Sequence, residues 1–165
     1  MENLKQQIQS ELKEAMKNKD ILLLGVLRMA LTAAKNKEIE KRMKMAKSGE
    51  AEEKLNELSQ LTNEEMIGVL LSEAKRRKDA AAEYTAGGRP ELAEKELKEA
   101  ELLMKYLPEQ MSENEIRGLV VEAIQKIGAS SAQDMGKVMS VLMPQIKGKA
   151  DGTLVNKIVK EELSR

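Results

Sequence analysis

Two lysines flanking a glycine, Lys147-Gly148-Lys149, with Lys137 upstream and Lys157 downstream, are the residues of this chain whose types and spacing could do chemistry. Ammonium groups and exposed backbone amides in a glycine turn can hold phosphate oxygens. Between Met135 and Lys160 the chain carries five lysines, at 137, 147, 149, 157 and 160, against one acid, Asp151. That local positive surplus makes Lys137, Lys147, Gly148, Lys149 and Lys157 the candidate nucleic-acid-binding residues. A solvated loop whose lysines keep a small domain in solution would have the same composition. The turn is no Walker-type phosphate loop, because the spacing differs, neither Ser nor Thr follows the lysine, and no strand precedes it. A helix starting after Asp151 could add its dipole, although the Asp151 carboxylate would compete there.

Other groups of residues read less as sites. Met135, Met139 and Met143 stand at i, i+4 and i+8. Met is adaptable enough for a binding surface, but at helical spacing, in a chain without Phe or Trp, the stripe reads as core. Lys37, Lys41 and Lys44 share a helix face, where they complement the negative end of a helix dipole or extend a basic surface. Lys75-Arg76-Arg77-Lys78 fans around its helix and is not a single patch. Pairs such as Glu64/Glu65 and Glu161/Glu162 read as charged helix faces. Tyr84 and Tyr106 are the only aromatics, too few for a base-stacking platform, so any contact with RNA would run through backbone and shape.

The missing residue types exclude whole classes of chemistry. With neither Cys nor His in the chain, no disulfide, thiol nucleophile or Ser-His-Asp triad can be assembled. No catalytic residues, metal ligands or cofactor are expected. The opening Met-Glu-Asn-Leu-Lys lacks the apolar core of a signal peptide, and Ile21–Leu24, the longest purely aliphatic run, is far short of a membrane span. A cytoplasmic protein without membrane contact is expected. Its 28 basic and 28 acidic residues balance, so the chain as a whole is no polycation.

The elements that would hold the lysines in place are all helices. Glu, Lys, Ala, Leu and Met dominate, prolines number three, and these abundant residues are good helix formers. Apolar periodicity predicts helices over 3–18, 21–46, 62–85, 90–106 and 112–127, a sixth carrying the Met stripe, and a seventh over 152–163. Asn18-Lys19-Asp20 marks the first break, with Asp20 as cap of the second helix. That helix is apolar on nearly all sides from Ile21 to Leu31 and should sit inside a bundle. Residues 48–61, acidic and weakly periodic, read as a mobile connection carrying a helical turn or two. Thr62-Asn63-Glu64-Glu65 and Ser112-Glu113-Asn114-Glu115 are capping boxes. Gly87-Gly88 ends one helix, Pro90 starts the next, and Gly128 caps another. Ser130 or Ser131 can cap the sixth helix, and Pro144 should stop or kink it. Pro108 restricts Leu107 and sets a domain boundary. The fold is all-α: a long-helix bundle of about four helices over residues 1–108 and a small three-helix domain over 109–165.

Several runs resemble the GatB/YqeY family: Tyr106-Leu107-Pro108-Glu109-Gln110, Ile127-Gly128-Ala129-Ser130, Asp134-Met135-Gly136-Lys137-Val138-Met139, Met143-Pro144 and Lys147-Gly148-Lys149-Ala150-Asp151-Gly152. Leu27-Arg28-Met29 and Lys75-Arg76-Arg77-Lys78-Asp79 extend the resemblance across the chain, and stand-alone YqeY-like proteins are the most similar. The resemblance implies a C-terminal domain similar to the tail of GatB. GatB is a subunit of the amidotransferase that converts mischarged Glu-tRNA(Gln) or Asp-tRNA(Asn) with glutamine as nitrogen donor. It further implies an assigned carbon–nitrogen ligase activity with glutamine as amido-N-donor, and it would make Lys137, Lys147 and Lys149 contacts to tRNA. With no nucleophile, base or ATP site in the residues themselves, the expectation is an accessory tRNA-binding protein in translation. The alternative is a non-catalytic protein–protein interaction module whose long helices or Met-bearing face dock a partner.

Overall fold

Among residues 3–164, which the computed structural model describes, the backbone forms eight α-helices, one 3₁₀ turn and no strand. The chain divides into two compact units at Tyr106/Leu107.

In the first unit, α1 (Leu4–Asn18) begins on Asn3, whose side chain accepts the Lys5 amide at 3.0 Å, and ends on Lys19 at φ 57°. Asp20 then caps α2 (Ile21–Lys47) by accepting the Leu23 amide at 3.0 Å. The expected burial of the start of α2 is corrected by the structure. Only Val26, Leu27, Ala30 and Ala34 are buried, while Ile21 is 82% and Met29 51% exposed. The helix packs against α1 along one side and against α4 and α5 along another, the short helix that follows it leans on its C-terminal part, and its remaining face meets solvent.

The segment after α2 carries a short helix, α3 (Glu52–Leu58), which makes eight α-helices where periodicity predicted seven. Leu55 and Leu61 on either side of its end are buried, which anchors it. The capping box at Thr62 forms as expected: the Glu65 amide donates to Thr62 Oγ1 at 3.2 Å and the Thr62 amide to Glu65 Oε2 at 2.8 Å. It opens α4 (Asn63–Ala86), and α5 (Pro90–Met104) returns beside it with Pro90 at its first position. Ala74 and Ala81 of α4 and Ala93 and Ala100 of α5 are buried, small side chains that let the two helices lie close along their length. Leu97 of α5 is 47% exposed, because Ala93, Ala100 and Leu103 hold the inward face.

The second unit wraps α6 (Glu113–Ile127), a 3₁₀ turn (Ala132–Asp134), α7 (Met135–Ile146) and α8 (Gly152–Leu163) around its own core. Ile116, Val120 and Ala123 of α6 meet Val138, Leu142 and Ile146 of α7 and Val155, Ile158 and Val159 of α8. The Ser112 capping box and the left-handed cap at Gly128 (φ 65°) both form. Ser131 precedes the 3₁₀ turn without making a side-chain cap.

Two expectations for α7 are corrected in part: the methionines do not hold its core stripe, and Pro144 does not stop it. Its core stripe is Val138, Leu142 and Ile146, with Met135 and Met139 packed at the edge and Met143 45% exposed. The helix also runs through Pro144 to Ile146. A proline this near the C-terminal end removes a single helical hydrogen bond, which the last turn tolerates.

Candidate nucleic-acid interface

Lys147, Gly148 and Lys149 form the turn between α7 and α8. Gly148 is left-handed at φ 79°, a conformation glycine adopts without penalty. Its carbonyl accepts Gln110 Nε2 at 3.0 Å, and the Lys149 carbonyl accepts the Met111 amide at 2.8 Å. The chain just before α6 thus holds the turn from outside. Both lysines are exposed.

Three of the turn's backbone amides are not open to phosphate. The Lys147 amide donates to the Met143 carbonyl at 3.0 Å, and the Lys149 and Ala150 amides donate to the Ile146 carbonyl at 2.9 and 3.1 Å. These donors close the end of α7 and point away from any ligand. At the start of α8, Asp151 accepts the Thr153 amide at 2.6 Å and occupies the helix N-terminus itself. What the turn can offer an anion is therefore ammonium charge. Lys147 and Lys149 also stand at the negative end of the α7 dipole, where cations are favoured.

The other candidate lysines lie elsewhere. Lys137 is in the first turn of α7, ten residues from Lys147 and so about 15 Å away along the helix axis. Its ammonium is 2.8 Å from Asp134 Oδ1, and that contact raises the Lys137 pKa. Asp134 is pulled below the usual carboxylate range by Lys137 first, then by the Ser130 amide. Lys157, on α8, is 3.9 Å from Glu161. Asp134 and Glu161, one residue beyond either end of the lysine-rich window, thus offset part of its surplus. On α6, Arg117 is tied to Glu113, Glu161 and Glu162 at 2.6–3.0 Å, with its pKa raised chiefly by Glu162, so this cation joins α6 to α8.

Residues 5–163 match the family described as YqeY-like protein. The chain belongs to this family. No curated protein matches it.

In this YqeY-like protein the basic face of α2 is bound up in structure. Lys37 and Lys44 flank Glu40 at 2.9 and 2.6 Å, and Glu40 is pulled down to about 2, by Lys44 first. Lys41 donates to the Gln60 carbonyl at 3.1 Å and to Glu65 at 2.9 Å, pinning the turn between α3 and α4. Glu38 accepts both Lys5 and the Leu61 amide.

Sequence reasoning missed Arg77. Inside the basic run Lys75–Lys78, this one side chain is buried. Its guanidinium reaches Glu73 and Glu99, each at 3.2 Å, the Glu73 carbonyl at 3.1 Å and the Met29 sulfur at 3.4 Å. The acids at i−4 and 22 residues downstream were visible in the sequence, but nothing local marked the second as a partner. Among the described residues no three carboxylates converge where a cation could sit, and no helix is long and apolar enough to cross a membrane.

Proposed function

We propose that this YqeY-like protein is an accessory tRNA-binding protein of translation, and that its contact to tRNA is the Lys147–Lys149 turn, with Lys137 and Lys157 as outlying charges. The observation that carries this is the built turn itself, which holds two exposed lysines on a backbone fixed by Gln110 and Met111. The engaged amides of Lys147, Lys149 and Ala150 favour charge attraction to the phosphate backbone over a phosphate-specific pocket. The resemblance of the runs from Tyr106 to Gly152 to the GatB tail supports a relation to that amidotransferase subunit, and in this reading the chain acts as a binder and not as the carbon–nitrogen ligase.

Titration of the full chain with tRNA across a salt series tests this. Saturable binding at low salt is expected, with affinity falling by roughly one counterion per phosphate contact. Lys147→Glu/Lys149→Glu should abolish binding or flatten the salt slope by about two. No saturable binding at low salt, or a double variant that binds as the parent does, would refute the proposal. A protein-interaction role is the second reading, favoured by a separate observation on α2.

A further inference from the structure

The solvent face of α2 carries a seam that the first unit leaves uncovered. Leu22, Gly25, Met29, Thr32, Asn36, Ile39 and Met43 follow one another at alternating steps of three and four residues, and all seven are exposed. That alternation is the spacing with which one helix meets another in a coiled coil, sustained here for about three heptads. Gly25 has nothing within 4 Å of an added Cβ, so a second helix could approach closely there. Asn36 sits in the series as a polar residue of the kind that fixes register. Met29, Thr32 and Asn36 also line an open cleft of about 880 Å³ between α2 and α4, floored by Leu61 and Val69.

The charges beside the seam indicate what covers it. The residue before each of Met29, Asn36 and Met43 is a cation: Arg28, Lys35 and Arg42. Coiled-coil partners are chosen by the charges at such flanking positions. Arg28 and Lys35 have no ion-pair partner among the described residues, and Arg42 donates to the neutral amide oxygen of Asn56. Along its length α2 holds seven cations against two acids, Glu38 and Glu40.

An antiparallel second copy of α2 would bring these flanking cations against one another, and a parallel copy would set Arg28 against Ala33, Lys35 against Glu40 and Arg42 against Lys47, a single favourable pair. In the cleft the cations Lys37, Lys41, Lys44 and Arg76 are already paired with Glu40, Glu65 and Glu73, so a polyanionic backbone would meet neutralised walls. A lipid surface is flat, whereas the cleft is concave and the seam narrow.

We infer that the exposed seam of α2 docks an amphipathic helix of another protein, whose apolar edge lies on Leu22, Met29 and Met43 and whose acidic flank faces Arg28, Lys35 and Arg42. This goes beyond tRNA binding and does not depend on it, since the residues involved belong to the first unit.

The probe is a fluorescein-labelled helical peptide of about three heptads, with leucine and alanine on its apolar edge and glutamate on its flanks. A twin carries lysine in place of glutamate. Anisotropy titration of the full chain should give saturable binding of the acidic peptide, weakening as salt rises, and much weaker binding of the basic twin. Met29→Glu should weaken the acidic peptide at least about tenfold. Arg28→Glu/Lys35→Glu should exchange the preference, losing the acidic peptide and gaining the basic one.

Far-UV circular dichroism checks that both variants keep the parent helicity, and the surface pair tests the inference even if Met29→Glu is poorly folded. Equal binding of the two peptides, or an unchanged preference in Arg28→Glu/Lys35→Glu, overturns it. A concentration-dependent dimer broken by that pair overturns it in favour of a second copy. Loss of tRNA binding in that pair overturns it in favour of RNA on this face.

Discussion

At the scale of single residues, the most consequential side chain is Arg77. Its guanidinium lies between Glu73 of α4 and Glu99 of α5 and touches Met29 of α2, so three helices meet on one charge. Removing it leaves the near-buried Glu99 without its cation and Glu73 with only the exposed Arg76, 2.9 Å from its Oε1, and Arg77→Ala should lower stability by about 3 kcal/mol in urea unfolding. A loss below about 1 kcal/mol would show that water replaces the guanidinium at little expense. Tyr106 makes a second long-range tie, donating its hydroxyl to Glu11. Burial first, then the Glu11 carboxylate, holds the phenol far above its ordinary range. A group whose folded pKa is raised contributes stability below its unfolded pKa and loses it above, so the contribution is complete below pH ~10 and fades as pH climbs past it. The stability–pH curve of Tyr106→Phe should fall less steeply than the parent's in that range, and identical slopes would sink the assignment. Neither tie was legible in the sequence. Arg77 stood in a run of four cations with no mark to separate it, and Glu11 lies 95 residues from Tyr106.

At the scale of elements, what was legible depended on how local the cause is. Capping boxes act over four residues, and those at Thr62 and Ser112 form as their sequences require. Ser112→Ala should remove one acceptor from the start of α6 and lower the stability of the second unit by about 1 kcal/mol. Hydrogen exchange of the amides at 113–116 should rise in that variant, and unchanged exchange would show that the cap adds nothing. Burial, by contrast, is decided by neighbours that a sequence does not announce. The start of α2 is apolar on nearly every side, and only the packing of α1, α4 and α5 shows which side is left over. On α7 the methionine spacing suggested a core stripe, whereas Val138, Leu142 and Ile146, one step around the helix, hold it. At the candidate interface the lysines were readable by type alone. That the amides of Lys147, Lys149 and Ala150 are spent on the end of α7, and that Lys137 is at the opposite end of that helix, follows from geometry.

At the scale of the whole molecule, composition spoke clearly. A chain with two aromatics and abundant Glu, Lys, Ala, Leu and Met has only helices as regular structure among its described residues, and each unit is built on aliphatic side chains of its own. Balanced formal charge conceals the unevenness that matters, since cations concentrate on the outer side of α2 and on the turn between α7 and α8. A tRNA contact and a helix-docking seam would use these two regions separately, and variants in one leave the chemistry of the other untouched. The Tyr106–Glu11 tie has one more consequence, which is optical. Both tyrosines, the only aromatic side chains, belong to the first unit. Tyrosine emission and near-ultraviolet signals therefore watch that unit alone, the second is dark to them, and its unfolding appears only in a probe of the backbone.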